Sequence, residues 1–301
     1  MWRLSDLRRP YVSLGLNHRS LVKYDIAQWH LACAEGLSGS EDLNVDRVLR
    51  RIDEWTDLVR QSTADNFWKF EAYRDFYNHS EPYFRILHLV STLWTKCGLA
   101  YTPQWFNLRP DDDNNAAAGF LADSRDGFLH GIVDGPGGTC GTIPFLVVSV
   151  GRRLGYPVYI VKAMSHLFAR WSDPFGRWKG ISRGFVPQPY VLNIEATNGG
   201  LHTPPDSKYL HWPETLHHDP LSSGAYMKPL MPPEEISESL MARSVCLRQN
   251  GYLSEANETL VWAVELAPHN PLRRAHLEQI RSESYRATYT PFHSNGVSVH
   301  A

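Results

Sequence analysis

Apolar and polar positions in the first hundred residues alternate with the period of a helix. Residues 44–59 carry an apolar side chain every three or four positions, with charged residues between them. This spacing predicts an amphipathic helix capped by Asn44 or Asp46. Its predicted buried face consists of Val48, Leu49, Ile52, Trp55, Leu58 and Val59. Residues 83–97 repeat the pattern, so we expect residues 1–103 to be mainly helical.

The pattern changes in residues 104–200. A glycine-rich segment, 135–141, precedes an apolar stretch that predicts a helix. Pro144 is tolerated only in the first turn of a helix, so this helix should begin close to Gly141 or Thr142. Three short runs rich in Val, Ile, Tyr and Phe follow and predict strands: residues 158–161, 166–171 and 190–196. A helix followed by antiparallel strands indicates the α+β class.

The last third of the chain separates into two parts. Residues 201–235 are rich in proline and lack periodicity, which is typical of a connector. Residues 236–286 have the spacing of one tetratricopeptide-like hairpin, with two antiparallel helices joined at Gly251, and a further helix is predicted after Pro271. Because one such unit cannot bury its own apolar faces, we expect it to pack on the main domain. A peptide-binding groove would need more repeats.

Composition excludes several classes of protein. The chain has 301 residues, 43% of them hydrophobic, and a net charge of −2. This balance gives no electrostatic reason to expect a nucleic-acid partner. The longest apolar stretch, 143–150, is far shorter than the roughly 20 residues of a membrane helix, and no secretory signal is visible at the N-terminus. Four widely spaced cysteines indicate reduced thiols. We therefore expect a soluble cytoplasmic protein.

Cys140 stands out because of its predicted place at the start of a helix. The glycine-rich segment lacks the glycine spacing and the Lys-Ser/Thr pair of nucleotide-binding loops. The positive end of a helix favours a thiolate, which is the nucleophilic form of cysteine. Glycines around the cysteine would let a substrate backbone approach closely. The alternative is a buried inert thiol, which suits the cysteines inside helical patterns: Cys33, Cys97 and Cys246.

A nucleophilic cysteine needs a base, and the base needs a partner that orients it. His166 begins the second predicted strand, which directly follows the cysteine helix. The third strand supplies Asn193 and Glu195, which lie two residues apart and therefore point to the same face. Either could hold the imidazole. His130 is a rival base without an evident partner, and a purely structural histidine is the plain alternative for both.

These residues together resemble the transglutaminase-like core of the papain-like cysteine superfamily. The similarity covers about residues 120–200: Gly-x-Cys opens a helix that ends in Leu-Gly-Tyr-Pro, His166 follows on a strand, and Asn-Ile-Glu-Ala-Thr-Asn-Gly-Gly comes next. The layout also resembles bacterial members with a trailing tetratricopeptide-like hairpin. The resemblance implies that Cys140 is the nucleophile, His166 the base and Glu195 the orienting residue. Here Glu replaces the family's Asp and Ala196 replaces a Pro, so Asn193 remains a competitor.

The resemblance implies the following organisation: a helical N-terminal part of the core (1–103), a catalytic core (104–200), a connector (201–235) and a helical hairpin (236–286). It also implies thiol-dependent acyl transfer on a peptide or protein substrate, without a cofactor. A non-catalytic binding module is the rival function. The Cys140 N–H would stabilise the oxyanion, with a second donor among Gln104, Trp105 and Asn107. Metal ligation is disfavoured by irregular spacing in both candidate clusters: Asp111 to Asn115, and His211, His217, His218 and Asp219.

Overall fold

The computed structural model describes residues 25–106 and 119–289, which form an α+β structure. The helices are α1 (Ile26–Ala32), α2 (Val45–Ala72), α3 (Glu81–Thr95), α4 (Leu129–Asp134), α5 (Ile143–Arg153), α6 (Asp206–Tyr209), α7 (His218–Ser222), α8 (Pro232–Gln249), α9 (Leu253–Leu266) and α10 (Pro271–Tyr289). The strands are β1 (Val158–Ala163), β2 (His166–Asp173) and β3 (Tyr190–Ile194). Within the described ranges, no helix is long and apolar enough to cross a bilayer.

Helix α5 lies at the centre of the main core. Its residues from Ile143 to Gly151 are all buried, and it packs against α1, α2 and two strands. Thr142 is its N-cap and Pro144 lies in the first turn, as predicted, because proline lacks only an N–H that the first turn cannot use. Gly155, with φ +77°, ends the helix in the left-handed conformation that favours glycine.

The three strands form one antiparallel sheet in the order β1-β2-β3, which confirms the predicted strands and their orientation. Side chains alternate between its two faces. Ala169 and Trp171 belong to the main core around α5, whereas Phe168 packs with Tyr209 of α6 in a separate cluster on the other face. His166 is two positions from Phe168 and therefore shares this second face.

The two long helices of the N-terminal part follow the predicted pattern with one exception. The Asn44 side chain accepts the Arg47 N–H at 2.9 Å and caps α2, which runs on to Ala72. Leu58 was predicted to be buried, but it is 44% exposed. The stripe that α2 buries includes residues at the helical period: Val48, Ile52, Trp55 and Val59. Leu58 lies beyond the edge of this stripe.

The C-terminal helices pack on the main domain through a second core. Helices α8 and α9 form the predicted hairpin, and Gly251 at its turn has φ +82°. The second core also includes Trp29 and Phe128 from the N-terminal two thirds of the chain. Helix α8 begins at Pro232, within the predicted connector, because prolines suit the first turn of a helix. The connector also contains the short helices α6 and α7, which its proline-rich sequence did not predict.

Candidate active site

Cys140 lies three residues before α5 and is the most accessible cysteine in the chain. It is half-buried, while Cys33, Cys97 and Cys246 are buried. Burial raises the pKa of Cys33 to about 12 and the pKa values of Cys97 and Cys246 to about 11. These three thiols are therefore protonated at neutral pH and shielded from reagents, in agreement with their interpretation as inert core residues.

The glycines before Cys140 serve the packing of the protein itself. A Cβ on Gly137 would lie 2.7 Å from the Ala100 carbonyl oxygen, and one on Gly138 would lie 2.7 Å from the Ile143 side chain. The expectation that these glycines admit a substrate backbone is therefore wrong for both positions, because the space is filled by the chain's own atoms. Gly141 keeps open space beside the thiol, with its nearest neighbour, Thr139, at 3.5 Å.

This close packing brings Tyr101 to Cys140. Tyr101 forms a parallel bridge with Gly138, and the Thr102 N–H donates to the Gly138 carbonyl at 2.8 Å. The Tyr101 hydroxyl consequently accepts the Cys140 N–H at 3.4 Å and is close enough to the Cys140 side chain to interact with it electrostatically. Burial and the charge of Cys140 raise the pKa of Tyr101, so its hydroxyl stays protonated. Sequence reasoning missed this residue.

His166 connects the cysteine to a carboxylate. It is the first residue of β2, and its Nε2 lies 2.7 Å from Glu195 Oε2. The Cys140 side chain is a further neighbour that acts on the imidazole electrostatically. Burial alone would lower the pKa of His166, but the interactions with Cys140 and Glu195 outweigh burial and raise it to about 10. The imidazole is therefore protonated at neutral pH when its neighbours are ionised.

Four donors hold the Glu195 carboxylate. Besides His166, the Tyr209 hydroxyl donates to Oε2 at 3.1 Å, and Thr197 donates to Oε1 through its hydroxyl at 2.5 Å and its backbone N–H at 3.2 Å. Burial alone would raise the pKa of Glu195, but the hydrogen bond and charge of His166, together with the Thr197 donors, lower it. The carboxylate thus stays ionised and fixes the orientation of the imidazole.

The side chain of Asn193 forms its hydrogen bonds with residues other than His166. Its Oδ1 accepts the Arg170 Nε–H at 2.7 Å, and its Nδ2 donates to the Pro204 carbonyl and to Asp206. Arg170 faces Asn193 directly in the β2–β3 register. The structure therefore brings Glu195, and not Asn193, to the imidazole, although both lie on the face that the sequence predicted.

The other sequence candidates make no hydrogen bond to Cys140 among the described residues, or lie outside those residues. His130 is buried, and its Nε2 lies 3.2 Å from Ser124 Oγ and 3.3 Å from the Gly39 carbonyl oxygen. The Trp105 indole donates to Asp126 at 2.7 Å, and Gln104 is exposed. Asn107 and the acidic run from Asp111 to Asn115 lie outside the described ranges.

No group of three potential metal ligands is found among the His, Cys, Asp and Glu residues that the structure describes. This finding covers His211, His217 and His218, whereas the side chain of Asp219 is outside the description.

An aromatic wall from the connector covers the imidazole. The Trp212 ring meets the His166 ring edge-on, with centroids 4.9 Å apart, and Tyr209 stacks on Phe168 at 3.8 Å. Trp212 is 39% exposed. Since apolar rings exclude water, this wall strengthens the electrostatic interaction between His166 and Glu195.

We expect Glu195→Gln to lower the pKa of His166 by more than one unit, because a neutral amide removes the carboxylate charge. NMR titration of the His166 ring protons measures the shift. Glu54→Gln, a matched change on the exposed face of α2, should leave the titration unchanged. An unchanged titration in Glu195→Gln would contradict the pairing.

The same pKa has a consequence for stability. Since the pKa of His166 rises from 6.5 to about 10 on folding, its protonated form contributes fully to the free energy of unfolding below about pH 6.5. This contribution is lost as the pH rises toward 10. Thermal melts of the wild type should show the loss above pH 6.5, and Glu195→Gln should reduce its size.

Comparisons of the chain with protein-family models, with curated proteins and with solved structures found no match.

Proposed function

We propose that this protein is a thiol-dependent acyl-transfer enzyme with a transglutaminase-like, papain-like core. Its substrate would be a peptide or protein, attacked at a peptide or side-chain carboxamide carbonyl. The observation that carries the proposal is the position of His166, whose imidazole is hydrogen-bonded to Glu195 at 2.7 Å and interacts electrostatically with the Cys140 side chain. A nucleophile, a base and an orienting acceptor in contact are what nucleophilic acyl transfer requires.

The first half of the reaction forms a thioester. The Cys140 thiolate attacks the carbonyl carbon, and the new C–S bond pushes the carbonyl electron pair onto oxygen. Because Nε2 of His166 is committed to Glu195, Nδ1 is the nitrogen that exchanges the proton with the thiol and passes it to the leaving amine. The C–N bond then breaks, and the amine leaves with that proton.

The second half releases the acyl group. Water or a second amine attacks the thioester carbonyl carbon while His166 accepts the proton of the attacking group. The C–S bond breaks, and Cys140 returns as the thiolate beside the imidazolium. Attack by water makes the enzyme a peptidase or amidase, and attack by an amine makes it a transglutaminase. Neither route uses a cofactor.

The Cys140 N–H and the Tyr101 hydroxyl would bind the oxyanion. The two groups now contact each other at 3.4 Å, a long and weak hydrogen bond. An oxyanion placed between them can accept from both, since Tyr101 is a protonated donor. Removal of one such donor typically costs about 10²–10³-fold in kcat. Tyr101 thus takes the role that sequence reasoning sought in Gln104, Trp105 or Asn107.

The arrangement of α5 and the sheet supports the papain-like assignment. The cysteine at the N-terminus of a buried helix faces a histidine on an antiparallel strand that packs beside it. The free cysteines suit a reducing, cytoplasmic compartment. In this proposal the trailing helices α8 to α10 support the catalytic core.

A mechanism-based probe tests the proposal. We expect a peptide carrying an electrophilic carboxamide to label the protein once, at Cys140, as mapped by mass spectrometry. Turnover of glutaminyl peptides and peptidyl anilides, with and without hydroxylamine as the amine acceptor, distinguishes amine transfer from hydrolysis. Cys140→Ser should abolish both, and Tyr101→Phe should lower kcat about 10²-fold with KM nearly unchanged. Absence of labelling in the folded protein would favour the non-catalytic binding module.

A further inference from the structure

A cavity lies at the opposite end of the sheet from Cys140. It has a volume of about 210 Å³, below the roughly 300–1,000 Å³ of pockets for drug-sized ligands. Its walls carry five aromatic side chains, contributed by α2, β2, β3 and the β2–β3 loop: Phe70, Trp171, Trp178, Phe185 and Tyr190. Polar side chains, among them Ser80, Glu81 and Asp173, line the same space. A cavity of this size with aromatic and polar walls suits one aromatic side chain of a binding partner that also carries a polar group, such as Tyr or Trp. We call it the aromatic cavity.

The loop over the aromatic cavity is held in a fixed shape. Asp173 accepts two backbone N–H groups of the loop at 2.8 Å each. Glu81 at the start of α3 accepts the N–H groups of Ile181 and Ser182 at 2.9–3.0 Å. A Cβ on Gly176 would lie 2.8 Å from the Gln188 backbone, so the two ends of the loop pack closely. A preorganised cavity loses little entropy when it is filled.

Exposed apolar side chains lie in the loop and in the segment after α2. Phe76, Phe175, Ile181 and Val186 are each at least 70% exposed. Val186 lines the cavity itself, and Ile181 directly precedes Ser182, which also lines it. The Arg74 guanidinium, just after α2, donates to the Arg183 carbonyl at 3.0 Å and joins this segment to the loop. Exposed apolar residues grouped around a cavity are typical of an interaction site.

The charge of this loop, residues 174–189, is one-sided. It contains Arg177, Lys179 and Arg183, all exposed, and no Asp or Glu. Asp173 and Glu81 are buried and already accept hydrogen bonds from the loop, and the exposed Glu71 accepts the Arg183 N–H at 3.4 Å. With Arg74 added to the three cations of the loop, cations still outnumber the exposed carboxylates of Glu71 and Asp75. A partner that approaches the cavity therefore meets a net positive charge, which attracts acidic groups and steers them.

We propose that the aromatic cavity and its cationic loop form a docking site for an acidic peptide segment with one aromatic anchor residue. The anchor fills the cavity, and flanking Asp or Glu side chains pair with Arg177 and Lys179. A membrane surface would also meet exposed apolar and cationic groups, but it has no side chain to place in a 210 Å³ cavity. The proposal is independent of the acyl-transfer function, because it uses none of the residues around Cys140.

Selection from a phage-displayed library of random 12-residue peptides tests the proposal. The target is the full chain carrying Cys140→Ala, so that covalent capture at the thiol is excluded. We expect selected peptides to share an aromatic residue with Asp or Glu neighbours. In fluorescence anisotropy, replacing the aromatic residue of the best peptide by Ala should raise its Kd at least tenfold.

Variants of the protein locate the binding. Val186→Asp and the double change Arg177→Glu with Lys179→Glu should each raise the Kd at least tenfold. These side chains are exposed, so circular dichroism melts should match those of the parent chain. Leu58→Asp and Arg50→Glu make matched changes at exposed positions of α2 away from the cavity and should leave the Kd within twofold.

Three results would overturn the proposal. The library could yield no binder, or binders without the acidic and aromatic pattern. Binders could also be insensitive to Val186→Asp and to the charge reversals. Finally, vesicles of phosphatidylcholine with phosphatidylserine could bind the chain, and lose binding in the same variants, while no peptide does. This last outcome would assign the surface to a membrane.

Discussion

Iodoacetamide at pH 7 is expected to modify Cys140 at least about 10³-fold faster than the other three cysteines. A thiol with a pKa of about 11 is ionised in only about one molecule in 10⁴ at pH 7, and burial gives Cys97 and Cys246 such values. Cys33 is still more deeply buried and has a pKa of about 12. Peptide mapping of the carbamidomethylated protein over a time course measures the four rates separately.

His166→Ala should slow the alkylation of Cys140 by about 10²-fold at pH 6. An ordinary thiol with a pKa near 8.5 is less than one part in a hundred ionised at that pH, whereas an adjacent imidazolium stabilises the thiolate. Because the pKa of His166 is about 10, the imidazolium persists across neutral pH. His211→Ala, a matched change at an exposed position, should not alter the rate.

The labelling pattern separates a catalytic histidine from a structural one. If His166→Ala unfolds the protein, Cys33, Cys97 and Cys246 will become reactive together with Cys140. If the protein stays folded and only the Cys140 rate falls, His166 acts on the thiol. An unchanged rate at Cys140 in the folded variant would contradict the ion pair and the nucleophile assignment that rests on it.

Local sequence signals were sufficient to predict where Cys140 lies. Pro144 and Gly155 delimit α5. Proline lacks an N–H and fits only the first turn of a helix, and glycine readily adopts the left-handed conformation that ends one. The strands follow from their composition, and the period-2 rule placed Asn193 and Glu195 on one face. The helix bounds, the strands and the shared face depend only on residues within a few positions of one another, so they can be predicted from the sequence.

The choice between Asn193 and Glu195 depended on contacts that a sequence does not display. The cross-strand register places Arg170 opposite Asn193 and thereby occupies the amide. Tyr209 reaches Glu195 from the connector, where prolines concealed a helical turn. Both facts require the pairing and path of distant segments, which single-sequence patterns leave undetermined.

Tyr101 was missed for a related reason. It reaches Cys140 through a bridge to Gly138, 37 positions later in the chain, and no periodic pattern surrounds either residue. Gly137 and Gly138 were the available signal, since a pair of buried glycines often marks the close approach of a second backbone. They were assigned to a substrate, while the approaching chain was the protein's own segment at Ala100.

Deleting the chain from Pro232 onward should leave a protein that aggregates or melts at least 20 °C lower. Helices α8 and α9 bury Leu240 and Leu260 in the second core, where Trp29 and Phe128 belong to the part that remains. Each such side chain contributes about 1.5–3 kcal/mol on burial, as an upper estimate. The loss of several at once approaches the 5–15 kcal/mol that stabilises a typical protein.

The deletion also removes ion pairs between α8 and the main domain. Arg152 makes two hydrogen bonds with Glu235, at 2.6 and 2.9 Å, and Lys162 pairs with Glu238 at 2.9 Å. The deletion therefore removes two ion pairs that join α8 to the main domain, and it also removes the helix that contacts the buried Lys162 ammonium. Differential scanning calorimetry and light scattering of the truncated protein measure both effects.

Point variants keep this prediction testable if the truncated protein cannot be purified. Leu260→Ala should cost about 2–5 kcal/mol of unfolding free energy, as usual for a fully buried leucine. Tyr252→Ala, at an exposed position of the same hairpin, should cost less than about 0.5 kcal/mol. A truncated chain that stays monomeric and melts like the full protein would contradict the shared core. The hairpin would then be a detachable unit whose apolar faces are free for a partner.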